Sequence, residues 1–190
     1  LLTPLTIISA TVDELKTQAP SHNDLYTVMN SNIQRLIRLL QQILEFRKAE
    51  TGNLKLRVSP GDIADFVKRE TESFQPLVKK RKIHFSVLCD PEAIIGYFDT
   101  DKLDKILYNL LSNAAKYNKE GGFIQVTLSY DENKDFVLLK VKDNGKGISK
   151  EKQKMLFKRF YEGDYRKFNT IGTGIGLSLT KDLVELHGGT

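Results

Sequence analysis

The sequence predicts an α+β protein: an antiparallel helical hairpin followed by a two-layer α/β sandwich with a mixed sheet. Three features carry that prediction. Residues 1 to 49 hold two amphipathic helical stripes separated by a polar turn. Beyond residue 52, strand-like alternation is interleaved with helical periodicity, and the last two strand-like runs are joined by a turn too short for a crossover, which implies antiparallel pairing. Within the second region stands Thr100 to Tyr117, TDKLDKILYNLLSNAAKY. Its Leu103, Ile106, Leu107, Leu110 and Leu111 recur at the three- and four-residue spacing of a helix that buries one face. Helices laid on one face of a mixed sheet are the layered solution for such a pattern.

Taken in order, Leu1, Leu5, Ile8, Val12 and Leu15 mark the stripe of a first helix that should stop near Ala19-Pro20. Ser21-His22-Asn23-Asp24 offers N-cap residues to a second helix, whose stripe runs through Met29, Ile33, Leu36, Leu40 and Ile43. A lone hairpin has too little partner surface for stripes this wide, so a four-helix bundle formed by two copies is expected. Gly52 suits the left-handed position that ends a helix, and the domain boundary is placed there, giving 1–52 and 53–190. Leu54, Leu56 and Val58 alternate as in a half-buried strand, and Asp62 to Val78 reads as one helix with a late kink at Pro76. Ile83, Phe85 and Val87 form a second strand, and a short strand precedes Asp99. Strands are expected over Ile124 to Tyr130 and Phe136 to Lys142, joined by Asp131-Glu132-Asn133-Lys134. Helices follow over Glu151 to Phe160 and from about Gly174 to His187.

At 190 residues the chain is one domain or a small domain with an appendage, and 40% hydrophobic with 28% charged residues is the balance of a well-packed protein. No apolar run approaches the roughly 20 residues needed to span a bilayer. A lone cysteine, Cys89, excludes an intramolecular disulfide and fits a reducing compartment, with a buried thiol in a strand as its expected role. The net charge of +5 and pI near 9.1 would suit an anionic ligand or nucleic acid. Basic clusters lie at Lys79–Lys82, Lys150–Lys154 and Arg159–Lys167, and only the last adjoins a glycine-rich segment.

Two asparagines, Asn109 and Asn113, sit one turn apart within the long helix. Asparagine competes with the backbone for hydrogen bonds, so a stacked pair in a helix interior asks for a reason. Asp143-Asn144-Gly145-Lys146-Gly147 follows directly on a strand, where alternate glycines permit a tight turn and a terminal aspartate can accept from an exocyclic amine. Ile171-Gly172-Thr173-Gly174-Ile175-Gly176-Leu177 precedes the last helix and can present backbone N–H groups to phosphate. Neither the G-x-G-x-x-G fingerprint, nor a P-loop, nor the protein-kinase catalytic set occurs. His22, His84 and His187 lack ligand spacing and are expected to be structural or solvated.

Paired asparagines, a D-x-G-x-G loop, Phe157-x-x-Phe160 and a G-x-G-x-G helix start, in that order, resemble the nucleotide-binding domain of sensor histidine kinases. These belong to the wider group shared with gyrase, Hsp90 and MutL, whose ATP-binding sandwich is of the Bergerat type. LLTPLTII resembles the segment just after a phospho-accepting histidine, and ILEFRKAETGNLKL resembles the end of a dimerisation hairpin, so the resemblance covers nearly the whole chain. It implies a two-component kinase core, including the hybrid type, that binds ATP and Mg²⁺. The core would dimerise through the hairpin and pass its phosphoryl group to a response regulator receiver domain. It would be the cytoplasmic portion of a parent anchored in the inner membrane, touching neither membrane nor nucleic acid itself.

The resemblance also implies roles. Asn113 would ligate Mg²⁺ through its amide oxygen, with Asn109 beside the metal and phosphates. Lys116 and Tyr117 would reach the phosphates and the ribose or base, and Asp143 would accept from the adenine amine in a pocket shaped by Gly145, Gly147 and Ile148. Phe160 and the segment Thr170 to Leu177, with Gly172, Thr173, Gly174 and Gly176, would close over the nucleotide. Tyr161 to Asn169 would form a lid, with Arg159, Arg166 and Lys167 neutralising the γ-phosphate. Hydrolytic relatives carry a glutamate base where Asn109 stands; a neutral amide cannot take that proton, which favours a kinase over an ATPase. The phospho-accepting histidine is expected two positions before Leu1, which places Thr3 four residues after it, where the family can orient water for dephosphorylation. The family continues with two further strands beyond Thr190. The alternatives are a non-catalytic, nucleotide-regulated dimerisation scaffold and a hydrolytic ATPase of the same group.

Overall fold

A computed structural model of the chain describes residues 2–19, 22–133, 136–159 and 174–190. It opens with helices α1 (Leu2–Gln18) and α2 (Asn23–Glu50). They lie antiparallel: Asn30 Nδ2 donates to Asp13 Oδ1 at 2.6 Å, and Gln34 Nε2 to Ser9 Oγ at 3.4 Å, so later residues of α2 face earlier ones of α1. Val12 and Ile33 are buried between them, while Ile7, Ile8, Leu15, Met29, Leu36 and Ile43 remain exposed. The N-cap of α2 is His22, and it makes no side-chain cap. Pro20 and Ser21 lie outside the described residues. At the other end Gly52 takes φ +67°, and Gly52 and Asn53 donate back to Ala49 and Lys48, the left-handed stop expected of that glycine.

After the hairpin come β1 (Ser59–Asp62), α3 (Ile63–Glu72), α4 (Gln75–Lys80), β2 (His84–Asp90), β3 (Ile95–Phe98) and α5 (Thr100–Lys116). Then follow β4 (Phe123–Tyr130), β5 (Val137–Asp143), the short α6 (Lys150–Gln153) and α7 (Gly176–Leu186). The main sheet has the order β2-β4-β5, with β2 and β4 parallel and β4 and β5 antiparallel, so it is mixed; β1 and β3 pair separately as an antiparallel ribbon. Register places Val87 opposite Val126 and Val126 opposite Val141. Ile124, Val126 and Leu128 of β4 point into a core filled by Leu107, Leu111 and Ala115 of α5 and by Ala64 and Val67 of α3. Cys89 belongs to that core, as expected of a strand thiol.

Four expected elements differ. Residues 54–58 join no sheet, and the Arg57 N–H goes to Asp99 Oδ2 at 2.7 Å instead of a neighbouring strand. Leu54 nevertheless packs inward, while Val58 is 49% exposed, so the alternation marks burial at its first residue and no strand pairing. The helix expected over 62–78 is two helices that break at Ser73-Phe74, with Pro76 in the first turn of α4, where its missing N–H costs nothing. The helix expected over 151–160 is only α6, followed by turns from Lys154 to Phe157. The helix expected from Gly174 starts at Gly176.

Candidate functional site

Helix α5 is the spine of the site. Asp99 caps it, its Oδ1 accepting from Lys102 N–H at 3.1 Å, and its apolar stripe anchors it on the sheet. That anchoring turns Asn109 toward α7 and α2. Asn109 is only 5% exposed. Its Nδ2 donates to Gly176 O at 3.1 Å and to Thr180 Oγ1 at 3.2 Å, and its Oδ1 accepts from Gln42 Nε2 at 2.9 Å. Both donors and the carbonyl of this amide therefore have protein partners, which answers why a poor helix former stands there. Asn113, one turn on, is half-buried.

At the end of α5 a second motif arrives. Lys146 N–H donates to Tyr117 O at 3.2 Å, and Asp143 Oδ1 accepts from Gly145 N–H at 2.8 Å, so the D-x-G-x-G turn fixes the aspartate against its own backbone. A Cβ at Gly145 would collide with the Tyr117 carbonyl and lie 2.9 Å from Asp143 Oδ1, so this position requires glycine. The Lys116 ammonium lies 4.8 Å from the Tyr117 ring centroid. Asp143, Gly147 and Ile148 are exposed, leaving that side of the loop open.

The structure thus gathers three sequence motifs on α5: Gly176 at Asn109, and Asp143 with Gly145 at Tyr117. Gly174 and Leu177 are half-buried beside that helix start. Arg159 is elsewhere: its guanidinium pairs with Glu50 Oε1 at 3.3 Å and lies 5.0 Å from the Phe46 ring centroid, against the hairpin. Thr3 is exposed in the first turn of α1. Phe160, Arg166, Lys167, Gly172 and Thr173 lie outside the described residues. His22 and His84 are exposed, whereas His187 joins α7 to α5, with Nδ1 2.7 Å from Leu183 O and Nε2 accepting from Asp99 N–H at 3.4 Å.

Several working residues had no motif to announce them. Asn144 Oδ1 accepts from Phe123 N–H at 2.7 Å, and Asn118 Nδ2 donates to Phe123 O at 3.0 Å, so two asparagines clamp the start of β4 beside the D-x-G-x-G loop. Asn144 sits inside that motif as an unspecified position. Gln42, Glu45, Phe46 and Glu50 lie on one face of α2 and dock it on α5, α7 and Arg159. Phe46 is 4% exposed among Ile106, Ile175, Leu179 and Leu183. Glu45, also buried, pairs with Lys102 at 3.2 Å, Lys105 at 3.7 Å and Lys48 at 3.2 Å. Burial alone would raise the Glu45 pKa, but these three lysines outweigh it and hold the carboxyl below its ordinary range. Lys102 is shifted up: burial pulls it down, and Asp101 and Glu45 more than offset that.

Among the described residues no group of three His, Cys, Asp or Glu is placed to hold a metal ion. A metal here would depend on amide oxygens together with a ligand's own oxygens, the kind of site that suits a hard cation keeping few protein ligands. Asn113 is half-buried one turn on, and the Asn109 oxygen is engaged by Gln42. No helix among the described residues is long and apolar enough to cross a membrane.

The family model described as histidine kinase-, DNA gyrase B-, and HSP90-like ATPase matches residues 98–190. Histidine kinase P4 of Formosa agariphila is 32% identical over 195 residues, which cover 99% of this chain and 14% of that protein. Sensor histidine kinase WalK of Bacillus subtilis is 29% identical, over 100% of this chain and 32% of that protein. The chain thus spans a third or less of the length of these two relatives. Among solved structures, full-length ShkA in complex with AMPPNP superimposes with TM-score 0.77 at 22% identity, over 98% of this chain and 39% of that one, which speaks to the fold. The mycobacterial sensor histidine kinase MprB gives TM-score 0.58 at 28% identity, over 68% of this chain and 82% of that one. Residues 98–190 are therefore a domain of the histidine kinase-, DNA gyrase B- and HSP90-like ATPase family, and the chain as a whole is a homologue of sensor histidine kinases.

Proposed function

We propose that this chain is the dimerising and catalytic core of a sensor histidine kinase. It binds ATP with Mg²⁺ and passes the γ-phosphoryl group to the imidazole of a histidine preceding Leu1, leaving ADP. The group then moves to an aspartate of a response regulator. The observation that carries this reading is the meeting of three separate motifs on α5, at Asn109 and at Tyr117.

In this reading Asp143 accepts from the adenine amine while its other contact, the Gly145 N–H, holds it in place. Gly145 keeps the pocket floor free of a side chain, and Gly147 and Ile148 line its open side. Lys116 and Tyr117 face the phosphates and sugar, and the Gly174–Leu177 helix start offers N–H groups to phosphate oxygens. Asn113 would hold the metal, with Asn109 next to it, and bound Mg²⁺ would neutralise charge on the phosphate oxygens. Arg159 and the segment 160–173 would meet the γ-phosphate once Arg159 leaves Glu50. Asn109 is a neutral amide and cannot take a proton from water at that position, which supports transfer over hydrolysis.

Residues 1–52 would act as the dimerisation hairpin and 53–190 as the catalytic domain. The exposed Ile7, Ile8, Leu15, Met29, Leu36 and Ile43 support a four-helix bundle made by two copies. Thr3 would stand near the acceptor histidine and orient water when the response regulator is dephosphorylated. The parent would be anchored in the inner membrane with this part in the cytoplasm. The test is to add the upstream histidine segment and incubate with γ-labelled ATP and Mg²⁺. An acid-labile, base-stable label that disappears with the histidine is expected; no label, or steady phosphate release instead, would contradict the proposal.

A further inference from the structure

The docked face of α2 ends on a residue of the nucleotide site. Gln42 Nε2 donates at 2.9 Å to Asn109 Oδ1, and the rest of the Asn109 amide is committed to Gly176 O and Thr180 Oγ1. Asn109 is thereby the point where the hairpin, the central helix and the glycine-rich start of α7 meet. Its two N–H groups cannot turn toward a ligand without releasing α7. Its carbonyl oxygen faces a donor from the hairpin. The carbonyl oxygen has two lone pairs, and the donor seated on one of them brings positive charge and a bulky amide to the oxygen a cation would have to approach, so each disfavours the other.

From this contact we infer that Gln42 is a positioning residue that couples hairpin docking to the nucleotide site through Asn109, so that the docked hairpin and a metal-bound nucleotide oppose each other. The inference rests on the reading that Asn109 lies beside the metal and phosphates. Neighbouring contacts make the coupling collective. Glu45 and Phe46 follow Gln42 by three and four residues on the same face, and Phe46 is buried against Ile106 of α5 and Ile175 and Leu179 of α7. Withdrawal of Gln42 from Asn109 therefore strains the seat of α2 on both helices, and undocking of α2 frees the Asn109 oxygen. By linkage, whatever α2 docking costs the metal–nucleotide complex, that complex costs docking. Asp143 and Gly145 sit at the far end of α5 and touch neither Gln42 nor Asn109, so binding of adenine alone is outside the coupling.

The experiment uses the whole chain and two variants. Gln42→Met keeps the side-chain length and removes the donor, and Gln42→Asn keeps the amide but draws it back by one methylene. Each is titrated with AMPPNP in the presence of Mg²⁺ and with ADP in EDTA, and backbone hydrogen exchange is followed over residues 42–50 with and without ligand. Both variants should bind the magnesium–nucleotide complex about three- to tenfold more tightly than the wild type, the range for loss of one competing hydrogen bond. ADP in EDTA should bind all three alike. In the wild type, exchange over 42–50 should rise when magnesium and nucleotide are added, and in the variants it should be raised beforehand. Gln34→Met, on the same helix but bonded to Ser9, should leave both readouts unchanged. Equal or weaker magnesium–nucleotide binding by both Gln42 variants overturns the coupling while leaving the site reading intact. Failure of the wild type to bind either nucleotide overturns the site reading and the inference with it.

Discussion

At the middle of α5 the contacts come from far away: Gln42, 67 residues earlier, and Thr180, 71 residues later, both bond the Asn109 amide. At the end of α5 they come from Arg81, whose guanidinium donates to Ala115 O at 2.6 Å and Lys116 O at 3.3 Å, and from the D-x-G-x-G turn, with Lys146 N–H on Tyr117 O and Gly145 N–H on Asp143. The first arrangement exists only while two other helices are in place. The second is held by a turn and by the clamp of Asn118 and Asn144 on β4, and needs nothing from the hairpin. In the proposed reading the binding site has a fixed half and a conditional half, and the hairpin would have purchase on the conditional half alone.

The largest break in this contrast should come from Phe46→Ala. Truncating an aromatic ring buried between α2, α5 and α7 should cost about 3 kcal/mol, at the lower end for such substitutions because the cavity opens at an interface that can separate. Urea denaturation should show the loss, and adenine binding in EDTA should survive it. Gly145→Ala attacks the other half. Its Cβ meets the Tyr117 carbonyl, so the loop must shift, at about 1–3 kcal/mol. Calorimetric titration should show nucleotide affinity falling about 10- to 100-fold, with hydrogen exchange over 42–50 unchanged. A parallel rise in that exchange would contradict the independence of the two halves.

The smallest effect is that of pH. Glu45 has a depressed pKa in the folded chain, so its pairing with Lys102, Lys105 and Lys48 stabilises docking fully above its ordinary value of 4.5. That contribution disappears as pH falls through the lower folded value. Lys102, shifted upward from 10.5, keeps its contribution until pH climbs through the raised value, so docking loses support at both extremes. Exchange over 42–50 should rise on acidification below pH 4.5, and Glu45→Gln should flatten that dependence.

Residue spacing made the hairpin, α5, β4, β5 and α7 legible, because each carries either a full helical stripe or a clean alternation. It misread residues 54–58, where the alternation marked inward packing of Leu54 but the hydrogen bond of Arg57 belonged to Asp99. It ran α3 and α4 together because Pro76 reads as a kink when its neighbours stay helical, whereas it opens a new helix. Asn109, Asn113, Asp143 and Gly145 were legible as candidates because their residue types are unusual for their places. Gln42, Asn118 and Thr180 were not, since polar residues on helices and turns are ordinary until tertiary packing shows what they touch. Placing Arg159 at the γ-phosphate followed from the family resemblance, while its contacts with Glu50 and Phe46 depend on a helix 109 residues away.

We propose that α5 and the D-x-G-x-G turn form one Mg²⁺–ATP site. It is tested most directly by titrating the chain with AMPPNP and Mg²⁺ in a calorimeter beside Asp143→Ala and Asn113→Ala. Saturable binding at one site per chain, abolished by Asp143→Ala and stripped of its magnesium dependence by Asn113→Ala, is the predicted result. Binding that both variants retain in full, or none by the unaltered chain, would contradict it.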